Sequence, residues 1–446
     1  MRKPVDPLKI KQFESMREPM DLQAVIKESN RCLLCFDAPC SSACPAGTDP
    51  AKFIRQIKFY NYKGAARTIR GNNILGSVCA FICPVDKLCE KQCSLKALED
   101  PIDIKGLQRF ASEYGRQSVL EPLPESLKTS GRVAIIGCGP AGMGCASALA
   151  TLDYDVTIFE REDNAGGVTH WNIPEFRLPA DALGYDVSNL LSQGVEIRYN
   201  STAASTESIV GLLAQGYDSV FISSGLTEPF TLPFLESFPN AVDYISFLRQ
   251  VKFDKESIDL KNKNVAVIGG GSVAIDSAVS AKACGANKVY LISLEHLDEL
   301  PADSEEINLA HTMNIIFKAG SQITGVVQDG TKITGLTGTE TEWAEPGKFS
   351  PSNALQVPGT EFRLNVDLVI QAIGTSPGRE LPGFAEGLIT KGKGVIDVDS
   401  GFGTSIPGVF AGGDVANGGA TVVQAVGEGK KAAAFIDNYI VGRNRK

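Results

Sequence analysis

With 446 residues the chain has room for about three domains, and 43% hydrophobic with 21% charged residues sets it among globular rather than disordered or fibrous proteins. A net charge of −9 and a pI of about 5.1 argue against nucleic-acid binding. The charge is unevenly divided: residues 1–130 carry 20 lysines and arginines against 15 acids, and residues 131–446 carry 23 against 37. The chain opens MRKPVDPLKI without an apolar signal segment, which predicts a cytoplasmic protein. One long uncharged run, Val133 to Leu152, has the length of a membrane span. Its glycines and Pro140 make it a phosphate-binding turn instead.

Eight of the eleven cysteines fall between residues 32 and 93. The first set runs Cys32-x2-Cys35-x4-Cys40-x3-Cys44-Pro45, and the second Cys79-x3-Cys83-Pro84-x4-Cys89-x3-Cys93. Thiolates hold iron–sulfur clusters, and a closing Cys-Pro commonly marks a cysteine that ligates the other cluster of a pair. The spacing therefore points to two clusters with interleaved ligands, a wire for single electrons. Zinc is the main rival, since C-x2-C pairs are common zinc ligands, but the usual two-pair spacing is absent and no histidine lies in this segment. Disulfides would need an oxidising compartment. Residues 1–120 should be mostly helical around the cysteines. Asp49-Pro50 opens a helical pattern from Ala51 to Ile69 with apolar Phe53, Ile54, Ile57 and Phe59. Leu120 to Ser130, rich in proline and polar residues, reads as a linker.

Beyond the linker a strand, glycine turn and helix occur twice. The first copy is Val133 to Ile136, then Gly137-Cys138-Gly139-Pro140-Ala141-Gly142, with a second strand from Asp155 to Phe159 closed by Glu160. Such glycines let the backbone approach a pyrophosphate at a helix N-terminus, and the acid can bond a ribose hydroxyl. The second copy is Val265 to Ile268, then Gly269-Gly270-Gly271-Ser272-Val273-Ala274, with a strand from Lys288 to Ile292. One such motif is weak evidence, but two in the same context suggest two dinucleotides facing each other, one of them a flavin. Near the C-terminus Phe410-Ala-Gly-Gly413-Asp414-Val415 ends a strand and leads into a helix from about Thr421. An acid there can bond the flavin's sugar-like chain, and the helix N-terminus stabilises negative charge on a reduced ring. Cys138, Cys145 and Cys284 sit singly within these folds and read as small core residues.

These features, in this order and behind this cysteine pattern, resemble the family of the glutamate synthase small subunit and the N-terminal half of dihydropyrimidine dehydrogenase. The match runs from about Ile26 to Ile440 and includes Gly166-Gly167, Ile173-Pro-Glu-Phe-Arg177-Leu-Pro179, Ile222-Ser-Ser-Gly225, Ala372-Ile-Gly374 and Ala411-Gly-Gly-Asp414. Within the family, Ser29 to Cys40, Pro101 to Phe110 and Leu297 to Ala302 look most like the electron-input subunits of bacterial NAD-dependent dihydropyrimidine dehydrogenase. The resemblance implies an α/β fold, with a helical iron–sulfur domain followed by two interleaved Rossmann-like domains. The expected division is residues 1–129 for two [4Fe-4S] clusters, 130–255 with 375–446 for FAD, and 256–374 for NAD(H).

The same resemblance implies the ligands. One cluster falls to Cys32, Cys35, Cys40 and Cys93, the other to Cys44, Cys83, Cys89 and the amide of Gln108. Counting cysteines would use Cys79 instead, which lies outside the family spacing. FAD is implied at Gly137, Cys138, Gly139, Pro140, Ala141, Glu160, Gly167, Val168, Arg177, Asp414 and Thr421. The nicotinamide cofactor is implied at Gly271, Ser272, Val273, Ala274 and at Ala372, Ile373 and Gly374. NADPH-using relatives carry an arginine pair where this chain has Leu294-Glu295, and an acid there bonds a free ribose hydroxyl and repels a 2′-phosphate. NADH is therefore the expected donor. Trp171-Asn172 is a second departure, since many relatives have glycine before the isoleucine. The implied activity carries electrons between NADH, FAD, the clusters and a partner FMN-containing subunit that reduces uracil or thymine. Two alternatives stand beside it: a glutamate synthase small subunit or related reductase for another acceptor, and a zinc-stabilised interaction protein.

Overall fold

The computed structural model describes residues 10, 14–117, 130–201, 209–378 and 387–444. The expected linker lies outside the described residues except for Ser130. The N-terminal segment is helical, with Leu22–Arg31, Pro50–Lys58, Tyr62–Asn72, Gly76–Ile82 and Ile104–Gln117 as its main helices. The single helix expected from Ala51 to Ile69 is two. Tyr60 takes a left-handed conformation, with φ of 59°, and the Asn61 side chain accepts a hydrogen bond from the Gly64 amide to start a new helix. Phe53, Ile54 and Ile57 are buried as expected, whereas Phe59 at the break is exposed.

Two five-stranded parallel sheets follow. The first is ordered Val409–Ala411, Ser219–Ile222, Arg132–Ile136, Asp155–Phe159 and Glu196–Arg198. The second repeats that order with Ala241–Asp243, Leu368–Gln371, Asn264–Ile268, Lys288–Ile292 and Ile316–Lys318. Their apolar central strands suit sheets covered on both faces. The second sheet starts at Ala241, ahead of the boundary at 256, because a short strand before the helix Tyr244–Phe253 pairs at its edge. An antiparallel pair, Glu228–Pro229 with Thr375–Ser376, joins the two folds where the chain crosses out and back. An antiparallel sheet built on Ser321–Asp329 and Lys332–Trp343 extends the second fold. Among the described residues no helix is long and apolar enough to cross a membrane.

The helical segment and the first fold share one hydrophobic core, in which Leu75, Val78 and Phe81 pack with Met143, Val426 and Ile436. The Asp186 carboxylate reaches across to accept the amides of Ser77 and Val78 at 3.3 and 2.9 Å. The long helix Val422–Asn444 lies against the same segment. A Cβ on Gly427 would stand 2.3 Å from the Pro45 carbonyl oxygen, so only glycine permits this approach. The Lys430 ammonium donates to the carbonyls of Ala46 and Asn72.

Candidate flavin, nucleotide and iron–sulfur sites

At the carboxyl end of the first sheet lies a cavity of about 520 Å³. Its floor is the turn Gly137 to Ala141. Gly137 has φ of 98°, and a Cβ there would meet the Ser223 carbonyl oxygen at 2.7 Å, whereas one on Gly139 would meet nothing within 4 Å. The turn therefore packs tightly behind and stays open in front, as close approach of a pyrophosphate requires. Gly137, Gly139, Pro140, Ala141, Glu160, Gly167, Val168, Asp414 and Thr421 all line the cavity. Cys138 is buried behind it, and its amide donates to Glu160 Oε2 at 2.7 Å. Glu160 also accepts the Glu162 amide. Burial pushes the Glu160 carboxyl up, opposed by these two amides. Burial likewise raises Asp414 to about 6, against the pull of the Ala420 amide.

Arg177 does not line this cavity, contrary to the expectation from sequence. Its guanidinium is buried between the folds, 2.7 Å from Asp276 and 2.5 Å from Glu306, both in the second fold. Burial works against that charge, but the two carboxylates more than offset it and hold the Arg177 pKa up. The cavity also has walls that the sequence reading did not assign: Ser223 to Thr227, Trp171, Asn172, and Ile245 with Arg249 from the second fold. The Arg249 guanidinium lies 4.0 Å over the Trp171 ring and pairs with Glu162. Asn172 donates to the Ile245 carbonyl, so the residue that replaces a family glycine ties the two folds together. Trp171 and Asn172 were visible in the sequence as a departure, but helix Tyr244–Phe253 carried no local signal that it would close a distant cavity.

The second glycine turn gathers its expected residues. The Gly269 amide donates to Ile292 and the Ala372 amide to Ile268, which brings Ala372 to Gly374 beside Gly271 to Ala274. A Cβ on Gly270 would stand 2.9 Å from Glu295 Oε2, so that carboxylate overhangs the turn although 21 residues separate it from Ala274. A Cβ on Gly271 would meet nothing within 4 Å, which leaves the turn open to a ligand. His296 and His311 are exposed, Cys145 is fully buried and Cys284 is half-buried.

Cys32, Cys35, Cys40 and Cys93 line one small cavity with Pro39 and Ser94. Burial, then the neighbouring thiols of Cys32 and Cys93, pushes Cys40 up to about 11, so thiolates here call for a compensating cation. Burial also raises Cys83, which has Cys79, Cys89 and Cys44 as charge neighbours and Lys105 as the opposing one. Cys79 is buried, accepts from Asn73 Nδ2 at 3.4 Å and stands beside this group. Gln108 is buried on the helix Ile104–Gln117, and its Nε2 donates to the Gly76 carbonyl at 2.8 Å. That bond commits the amide nitrogen and leaves Oε1 as the side chain's donor atom for a metal. Among the described residues no three histidine, cysteine, aspartate or glutamate side chains converge closely enough for a single metal ion.

The model of the pyridine nucleotide-disulphide oxidoreductase family matches residues 131–429, and that of dihydropyrimidine dehydrogenase domain II, 4Fe-4S cluster, matches residues 9–119. The chain is 39% identical to the NAD-dependent dihydropyrimidine dehydrogenase subunit PreT of Escherichia coli K12, over 94% of each chain. It is 36% identical to the beta subunit of NADP(+)-dependent formate dehydrogenase from Moorella thermoacetica, over 90% of this chain and 60% of that one. Among solved structures, FprA, a Mycobacterium tuberculosis oxidoreductase, aligns with a TM-score of 0.60 at 14% identity, over 71% of this chain and 86% of its own. Thioredoxin reductase from T. acidophilum aligns at 0.52 and 24%, over 69% and 97%. These two likenesses bear on the fold.

Proposed function

Because the chain belongs to the pyridine nucleotide-disulphide oxidoreductases and carries a dihydropyrimidine dehydrogenase domain II at its N-terminal end, we propose that it is the electron-input subunit of an NAD-dependent dihydropyrimidine dehydrogenase. It is an oxidoreductase of FAD, NAD(H) and 4Fe-4S clusters. Bound FAD would supply acceptance of a hydride from NADH and release of electrons one at a time, the conversion of pair chemistry into wire chemistry. In this reading Gly137 to Ala141, Glu160, Gly167, Val168, Asp414 and Thr421 hold FAD. Gly271 to Ala274, Glu295 and Ala372 to Gly374 hold NAD(H). Residues 1–129 hold two clusters, at Cys32, Cys35, Cys40 and Cys93 and at Cys44, Cys83, Cys89 and Gln108.

One observation carries the reading. The first turns of the helix Val422–Asn444 line the flavin cavity through Val422 and Ala425, and Gly427 on the same helix touches Pro45, which follows Cys44. Five residues of helix rise about 7–8 Å, which supports the reading that the second cluster, through Cys44, is the one nearer the flavin cavity. The order is then FAD, the Gln108 cluster, the four-cysteine cluster and a partner. The partner is an FMN-containing subunit bearing the pyrimidine site, and the setting is cytoplasmic. The purified chain should oxidise NADH with a dye as acceptor and should reduce uracil only when that partner is added. Conversion of uracil to dihydrouracil by the chain alone would refute the assignment. A related reductase serving another acceptor is the second reading, favoured by the likeness to the formate dehydrogenase subunit.

The carboxylate of Glu295 above the second turn supports NADH over NADPH. Its charge opposes a 2′-phosphate and its oxygens accept from a free 2′-hydroxyl. We expect kcat/KM for NADH to exceed that for NADPH by roughly tenfold or more, about the 1.4 kcal/mol of one charge-assisted bond, and Glu295→Arg to narrow the gap. Equal values for the two donors in the unmodified protein would refute this.

A further inference from the structure

Three folds meet at residues 303–306, beside the second cysteine group. The Lys105 side chain is 4% exposed, and its ammonium donates to the Cys83 carbonyl at 3.3 Å and pairs with Glu305 at 2.6 Å. Gln108 lies one turn further along the same helix. Glu305 opens the helix Ser304–Thr312 of the nucleotide-binding fold and is shared with Arg17, also at 2.6 Å. Burial alone would raise the Glu305 carboxyl, but Lys105 and Arg17 hold it at about 2, so the acid is charged. Its neighbour Glu306 binds Arg177, which binds Asp276 on the helix that starts at the second glycine turn. Glu305 therefore reaches Lys105 only while the nucleotide-binding fold is docked in this arrangement.

Reducing a cluster adds one electron and one negative charge, with no bond made or broken. A fixed cation close to it in a poorly solvated site favours the reduced form, and a carboxylate paired to that cation cancels part of the effect. Lys105 is placed to act this way, with an ammonium one carbonyl from a cysteine assigned above to the second cluster.

We propose that Lys105 raises the reduction potential of the cluster held at Cys44, Cys83, Cys89 and Gln108, and that Glu305 of the nucleotide-binding fold sets how much of that charge the cluster feels. The inference rests on the ligand assignment proposed above. Docking of the nucleotide-binding fold thereby tunes the first acceptor of single electrons from the flavin.

The test is a reductive titration of the whole protein with dithionite and mediators, following each cluster's electron paramagnetic resonance signal. Lys105→Met should make one of the two clusters harder to reduce and leave the other unchanged. Glu305→Gln should make that same cluster easier to reduce. Iron and sulfide analysis of each variant confirms that two clusters are present. If Lys105→Met does not assemble, the sign of the Glu305→Gln shift decides alone. Unmoved midpoints, equal shifts in both clusters, or an easier reduction in Lys105→Met or a harder one in Glu305→Gln would overturn the proposal. Fewer than two clusters in the unmodified protein would instead refute the ligand assignment beneath it.

Discussion

Replacing Cys93 by serine should stop electrons from leaving the chain while NADH oxidation by a dye continues. Among the described residues, everything that lines the flavin cavity comes after residue 130, and Cys93 lies with Cys32, Cys35 and Cys40 in the helical segment. Hydride acceptance therefore does not need Cys93. With Cys93 a ligand as proposed, its loss should cost more than the roughly 10–100-fold that follows loss of an outer-shell partner. Uracil reduction with the partner added should thus fall by more than about 100-fold, with dye turnover within about twofold of the unmodified protein. A parallel fall in both activities, with FAD still bound and the fold intact by circular dichroism, would show that the wire and the flavin site are not separable.

Arg177→Met should lower stability by about 3–5 kcal/mol, because it strands two buried carboxylates without their cation. The side chains of Arg177, Asp276 and Glu306 are 11%, 6% and 4% exposed, so solvent offers little rescue. The triple variant Arg177→Met, Asp276→Asn, Glu306→Gln should recover much of that loss, since replacing a whole buried ionic group costs far less than breaking it. FAD affinity, measured by titrating apoprotein at low temperature, should stay unchanged, while flavin reduction by NADH slows because the two folds are held less firmly. Selective loss of FAD affinity without loss of stability would return Arg177 to the flavin site, where the family resemblance placed it.

That reassignment shows where local pattern stops. Both glycine turns, their strands and the strand–turn–helix at Asp414 were legible because each is specified by neighbours in sequence: glycines where the backbone bends and approaches a ligand, apolar runs for buried strands, an acid at a strand end. The cysteine spacing was legible for the same reason, whereas the grouping of Cys32, Cys35 and Cys40 with the distant Cys93, which line one cavity, was implied by the family resemblance and not by spacing. The break at Tyr60 was missed because apolar periodicity runs through Asn61, whose capping bond is a single side-chain event.

The sequence by itself determined the two strand–glycine turn–helix folds, the helical cysteine segment and most of the turn residues that line the cavity, since short-range geometry and composition encode them. Only the tertiary structure decided that Arg177 pairs with Asp276, 99 residues along the chain, that Ile245 and Arg249 close the flavin cavity from the other fold, and that Gly427 seats against Pro45. Each of these depends on how three folds dock. Docking is set by the fit of buried surfaces and by ion pairs between residues far apart in sequence, which no local periodicity records.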